Sequence, residues 1–335
     1  QYERGLRGFI RKVVQMRGSV FPHAMGVALP CALVTGVLRY AIDVGWLPAF
    51  APADSILLDS NAWTGFSAIF GFLIVFRTSQ AYNRFSDGCT ATHRMRAEWF
   101  DACSALVAFS AFSKAPKYKV CRFKNMIVRL FSMLHAAALA ELEELNHGVD
   151  DLDGIAAFSF KVIDPGSLDM ESLLALKNSG SKVEMLLFWI QLHIVQNIDT
   201  EVLSISPPIL SRAFQEIANG MVAFHDAVKI TYIPFPFPYA QICDTLLIMH
   251  WLIVPFVVCQ WVRSPVWAGI FVLLQVVIVW SLNFIAVEIE NPFGCDANDL
   301  DGCYMQDEMN RFLLMLVTPE ACRTPYLVGD HVDLT

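Results

Sequence analysis

A chain of 335 residues that is 55% hydrophobic and only 17% charged falls well short of the roughly 25% charged residues of an average soluble domain, and with a mean hydropathy of +0.47 it is predicted to be embedded in a membrane. Its formal net charge of −8 argues against a nucleic-acid binder, because neutralising phosphates requires a surplus of Lys and Arg. The nine cysteines form no CxxC zinc pattern, and Cys31, Cys103, Cys243 and Cys259 lie in apolar stretches where buried free thiols are expected.

The N-terminal segment, residues 1–19, opens on Gln1 rather than Met, which leaves room for a removed presequence. It carries Arg4, Arg7, Arg11, Lys12 and Arg17. A first apolar span follows from about Val20 to Trp46, with Pro22 and Pro30 tolerable near the start of a membrane helix or at a kink. Arg39 and Asp43 near its end are four apart, which allows either a functional charge pair or simple local pairing. Residues 47–54 form a link ending at Asp54.

The second span, Ala62–Phe76, is uncharged until Arg77, Tyr82, Asn83 and Arg84 arrive together. Fifteen residues of helix rise only about 22 Å, short for a bilayer core of roughly 30 Å. Ala68, Phe72 and Phe76 recur at i, i+4 and i+8 and so share one helical face. Two readings of that stripe stand: the lining of a pore, or ordinary helix packing.

Residues 77–232 alternate amphipathic helical runs with polar breaks and predict a helical soluble-side domain. The runs are Arg94–Phe112, Val120–Leu142, Met170–Gln196 and Leu210–Lys229. Asn146–Asp153 and Asn178–Lys182 read as loops, and Pro207-Pro208 as a break. A third span, Ile233–Val262, opens with IPFPFPY and contains Asp244 and His250, six apart and on different faces, which suits interhelical hydrogen bonds. After Arg263-Ser264-Pro265 a fourth span runs from Val266 to Val287, interrupted by Gln275 and Asn283. The basic flanks of spans one and two, set against a link holding only Asp54 and Asp59, predict that both termini and the central domain face the positive-inside compartment.

The C-terminal segment, residues 288–335, begins EIENPFGCDANDLD. Glu288, Asn291, Asp296 and Asp299 gather oxygen ligands around a Pro-Phe-Gly turn, a set that suits a hard cation such as Ca²⁺. An acidic, solvated helix end whose Asn and Asp cap the next helix accounts for the same residues. Cys295 and Cys303 are close enough to pair in an oxidising compartment. The sequence holds no Ser-His-Asp or Cys-His context, no P-loop and no GxGxxG, so enzymatic chemistry is not signalled.

Four features together make the chain resemble a bestrophin, of the family of pentameric anion channels with animal, plant and bacterial members. They are Arg17-Gly18-Ser19 before span one, the Phe-rich span two running into FRTSQAYNRF, the FPFPYAQ of Phe235–Gln241, and NPFG…ND after span four. The resemblance extends from Gln1 to about Thr318. It implies an all-α membrane protein, a homopentamer around one axial pore with four membrane helices per subunit and a helical cytosolic-side domain, with paralogous subunits as an alternative partner. Its neck positions fall on Ala68, Phe72 and Phe76, where Ala68 is smaller than the residue usual in the family. A second constriction falls within Pro207, Pro208 and Ile209. Arg77 becomes a candidate for concentrating anions at the inner mouth, with a surface salt bridge as the competing account. The calcium clasp of animal members would map to Glu288, Asn291, Asp296 and Asp299 with a carbonyl near Tyr2, although Glu288 replaces an amide and Ala297 and Asn298 replace acids.

The expected function is therefore passive conduction of chloride, and of bicarbonate, across a plasma or thylakoid membrane, with no catalysis. A secondary anion transporter and a structural membrane subunit with a vestigial pore are the rival readings. Hairpins at 20–76 and 233–287 are expected to form the membrane portion.

Overall fold

The computed structural model describes residues 15–48, 60–147, 160–294 and 296–325. Among these, every α-helix and one short 3₁₀ turn (Pro165–Ser167) follow one another with no strand. The helices are α1 (Phe21–Asp43), α2 (Ser60–Ser110), α3 (Lys117–His147), α4 (Met170–Asn178), α5 (Lys182–Asp199), α6 (Pro207–Tyr232), α7 (Phe237–Trp261), α8 (Pro265–Glu290) and α9 (Gly302–Met315). The link holding Asp54 and Asp59, the loop from 148 to 159, Tyr2 and the N-terminal basic residues before Arg17, and Cys295 lie outside the described residues.

The largest departure from the sequence expectation is α2. The apolar run Ala62–Phe76 and the amphipathic run Arg94–Phe112 are two parts of one helix of 51 residues, a rod of about 77 Å. Nothing between Arg77 and Arg94 breaks it: this stretch has no proline, and its one glycine, Gly88, is tolerated in a helix interior at a modest cost. The periodicity reading stopped the helix at the first charge because it followed hydropathy, and a change from apolar to polar solvent does not interrupt backbone hydrogen bonds. The run Met170–Gln196 is divided into α4 and α5 by Ser179–Ser181, inside the loop read at Asn178–Lys182.

The chain divides into two compact units. The first contains α1, the N-terminal part of α2, α7 and α8; the second contains the rest of α2, α3 to α6 and α9. In the first unit, proline opens both α1 and α8 within the first turn, where its missing N–H costs nothing. α1 ends in a Schellman motif. Gly45 takes the left-handed conformation (φ 79°), its N–H donates to the Ile42 carbonyl and that of Trp46 to Ala41 (3.1 and 2.9 Å). Arg39 then donates to the carbonyls of Cys259 and Arg263 at the C-terminal end of α7, both at 3.0 Å, while its other nitrogen meets Asp43 at 2.6 Å. The sequence-predicted i,i+4 pair exists, and it also serves as a helix cap. α1 and α8 are packed through small residues, with Ala28 and Ala268 fully buried.

The second unit is built around α3. Among the described residues five helices are long and apolar enough to cross a membrane, α3 among them. Of its most apolar window, 78% is buried within the protein, against 17–44% for the other four. Its apolar residues, including Phe123, Ile127, Phe131 and Leu134, are core residues packed with Trp99, Ile190, Ile217 and Phe224. A buried polar network ties α3 to α9: Ser132 Oγ donates to Asn310 Oδ1 (2.6 Å), Gln306 Nε2 donates to the Ser132 carbonyl (3.1 Å), and His135 Nδ1 meets Gln306 Oε1 (2.6 Å). Asp301 caps α9 by accepting from the Tyr304 N–H at 2.9 Å.

Gly220 in α6 lies against the indole of Trp99, which is fully buried and donates to the Ile217 carbonyl. A Cβ at position 220 would stand only 2.3 Å from the nearest atom of that ring. Gly220→Ala should therefore lower the thermal midpoint despite its better helix propensity, costing about 1–3 kcal/mol by overpacking; Trp99→Phe in the same background should recover part of the loss. His193 stacks on Phe123 (5.2 Å between centroids), and burial first of all holds its pKa below the ordinary 6.5. The unfolded chain takes up that proton first, so stability is full above about 6.5 and should decline as pH falls below it. His193→Gln should flatten that decline in denaturant titrations at pH 7.5 and 5.5.

Candidate functional site

The membrane part of α2 has two distinct faces. Phe70, Ile74, Arg77 and Ala81 are buried. Phe70 stacks on His250 of α7 with centroids 4.9 Å apart, and Trp63 lies on the same imidazole at 5.8 Å. His250 in turn meets Gln275 of α8 at 3.1 Å, the interhelical hydrogen bond its position suggested. On the opposite face Ala68, Phe72 and Phe76 are all exposed, Phe72 by 68% and Phe76 by 41%. Their rings follow one another at 6.3 Å, and Phe76 continues to Tyr239 at the start of α7, 5.7 Å away. Tyr239 is also met edge-on by Phe235. The protomer's own helix packing uses residues 70, 74, 77 and 81, and leaves the stripe 68, 72, 76 uncovered.

The Arg77 guanidinium turns away from the exposed stripe into the helix packing. One nitrogen lies 2.6 Å from Asp244 Oδ1 on α7 and 2.7 Å from Asn283 Oδ1 on α8. The Arg77 side chain is 6% exposed and that of Asp244 52%. Next to it, Thr78 donates to the Leu282 carbonyl at 3.2 Å. Seven residues on, Arg84 donates to the carbonyls of Ile233 (2.8 Å) and Glu290 (3.3 Å). Two arginines on one face of α2 thus fasten it to α7 and α8. Each member of the triad was visible in the sequence as a polar interruption of an apolar span. Their partnership was not, because it depends on the relative rotation of three helices.

Pro207, Pro208 and Ile209 form the first turn of α6 in the second unit, and all three are exposed. Proline fits there because an N-terminal turn leaves its N–H groups unpaired anyway. Ile209 is 52% exposed on that turn, and its own N–H donates to the Ser206 carbonyl.

Glu288, Asn291, Asp296 and Asp299 all follow the apolar stretch of α8 within the first unit; Tyr2 lies outside the described residues. Asn298 ties the first of them to the segment before α1. Its amide nitrogen donates to the Gly18 carbonyl (3.0 Å) and to Glu288 Oε1 (3.1 Å). Asp299 Oδ2 accepts the Asp296 N–H at 2.8 Å, closing a local turn. Gly18 needs its left-handed backbone (φ 72°) here, and a Cβ would stand 3.0 Å from Asn298 Oδ1. A hard cation requires converging oxygens. In this arrangement a donor nitrogen stands between the carbonyl and the carboxylate, and among the described residues no group of three His, Cys, Asp or Glu could hold a metal ion.

The comparisons with known proteins agree with this architecture. The family model for the bacterial and fungal bestrophin protein matches residues 3–313. A voltage-dependent anion channel-forming protein of Nostoc sp. is 27% identical over 291 residues, covering 85% of this chain and 84% of its own. One of the same description from Synechocystis sp. is 26% identical over 292 residues, with 86% and 85% covered. A crystal structure of a bacterial bestrophin homolog from Klebsiella pneumoniae superposes with a TM-score of 0.70 at 15% identity, over 89% of this chain and 99% of that one, which shows a shared fold. The chain is an integral membrane protein and not an enzyme, and it belongs to the bacterial and fungal bestrophin family.

Proposed function

We propose that this protein is an anion channel that conducts chloride, and bicarbonate with it, passively through a pore shared by five copies. In this reading α1, the N-terminal part of α2, α7 and α8 cross the bilayer, while α3 stays in its own unit's core. The exposed faces of five α2 helices surround the axis, so that Ala68, Phe72 and Phe76 line the neck. Pro207, Pro208 and Ile209 supply the second constriction. The observation that carries the proposal is the pairing of an uncovered aromatic stripe with an opposite face that is fully engaged, so the stripe is free for another role.

The chemistry suits anions. The edge of a phenyl ring carries partial positive charge, so rings turned edge-on to the axis stabilise a partly dehydrated anion without holding it. Weak binding permits exit, and an apolar ring can close by losing its water. Arg77 contributes by position. Anchored to Asp244 and Asn283, it fixes the rotation of α2 and with it the direction in which Phe72 and Phe76 point. A coupled transporter would need an ionisable group free to exchange a proton or ion at mid-membrane. Asp244 is the mid-span acid suited to that role, and it is already paired with Arg77.

Single-channel recordings in planar bilayers test the neck directly. Phe72→Ala should change unitary conductance or open probability while leaving assembly intact; unchanged ion flux would favour a structural subunit with a vestigial pore. The triad is tested by stability and by gating together. Asp244→Asn leaves a buried guanidinium without its counter-charge and should cost about 3–5 kcal/mol. Arg77→Gln leaves a half-exposed carboxylate that water can reach, so its cost should be smaller. Heating followed by size-exclusion chromatography would rank them, and the reverse ranking would place the burden of the pair on Asp244.

A further inference from the structure

A second feature of the first unit lies on α1 and α8, away from the triad. These helices approach through small residues, and a Cβ on Gly269 would stand 3.3 Å from the Ala32 carbonyl. Above this close contact the larger side chains stand apart and leave a cleft of about 400 Å³. Leu33, Val37, Val266 and Ile270 form its walls, with Gly36 and Gly269 at its base. Along α8 it extends from Pro265 to Leu273, about 12 Å. No polar side chain lines it, so water held there would lack the two to four partners it needs.

The level of the cleft in the bilayer can be read from its surroundings. Tyr40, Trp46, Trp261 and Trp267 are exposed by 41–75%, and Tyr40 meets Trp46 edge-on at 6.5 Å. Exposed Trp and Tyr at the ends of membrane helices mark the headgroup region. The Pro265 end of the cleft therefore opens at that level, and the Leu29 and Leu273 end lies deeper in the hydrocarbon. Arg263 stands two residues before Pro265 and is exposed. Among the described residues its guanidinium has no hydrogen-bond or ion-pair partner, whereas the charge of nearby Arg39 is met by Asp43.

We propose that this cleft seats one acyl chain of an anionic phospholipid whose phosphate rests on Arg263. A polymethylene chain fits the space, and a helix about 10–12 Å across does not. The proposal depends on membrane embedding alone and stands independently of the pore. Its test uses the full-length protein in nanodiscs of equal dioleoyl phosphatidylglycerol and dioleoyl phosphatidylcholine, with retained lipid read by native mass spectrometry after extraction. Phosphatidylglycerol should be retained about fivefold over phosphatidylcholine, the value of one arginine near the surface. Arg263→Gln should bring the two lipids to equal retention without changing the oligomeric state. Val37→Trp, or Ile270→Trp from the opposite wall should the first fail to fold, should fill the cleft and abolish retention of both. A photoreactive benzoylphenylalanine in place of Leu33 should label phospholipid. Equal retention of the two lipids by the unaltered protein, retention that survives a filled cleft, or photoadducts to a second copy of the chain would each overturn the proposal.

Discussion

A guanidinium inside an apolar helix bundle has few places to go, and this one sets the geometry around it. Arg77 reaches a carboxylate on α7 and an amide on α8 through a single nitrogen. Bringing such a charge out of water costs several kcal/mol, so a buried ion pair is poor evidence of net stability. Its consequence is discrimination among alternatives. An apolar α2 could rotate by a third of a turn and still bury a comparable amount of hydrocarbon, because Phe70, Phe72, Ile74 and Phe76 are all large and apolar. With Arg77 on the buried face, such a rotation would strand a charge in hydrocarbon, a penalty of at least a few kcal/mol. The exposed position of Phe72 and Phe76 therefore follows from a residue whose side chain points to the opposite face.

The same logic explains why the fastening is shared between side chains and carbonyls. Arg39 and Arg84 both use helix-terminal carbonyls, of α7 and of α8, as acceptors. The last carbonyls of a helix have no intrahelical donor and carry the negative end of its dipole. Three arginines on two helices thus serve as caps and clamps within the first unit, and none is left to act as a bare charge on the aromatic stripe. In the proposed pore, attraction of anions at that stripe would then come from ring edges, a weaker and less localised source, which favours passage over capture.

What could be read in advance divides along physical lines. The helical class, the apolar spans and the α1 ion pair were legible because each depends on residues near one another in sequence. The RGS, FPFPY and NPFG elements were legible as a family pattern, and the family is confirmed across nearly the whole chain. The length of α2 was not, since hydropathy changes at Arg77 while backbone geometry does not. The partners of Arg77 were also hidden: Asp244 is 167 residues away and Asn283 is 206, and no local rule fixes how helices rotate against each other. Asn298 was noticed only as a missing acid. Its actual part, joining Gly18 to Glu288, required the loop and the start of α1 to be seen together.

Asn298 also bears on what holds the acidic loop in place. A divalent ion bridging a carbonyl and a carboxylate makes their spacing depend on ion concentration. A carboxamide donates from one nitrogen through two N–H groups, and here those meet the same two kinds of acceptor at 3.0 and 3.1 Å. The Asn298 bridge itself consists of two hydrogen bonds and requires no ion. One of the two acceptors is a carboxylate oxygen of Glu288 and the other the Gly18 carbonyl. Hydrogen bonds from one carboxamide thereby tie the end of α8 to the segment that leads into α1.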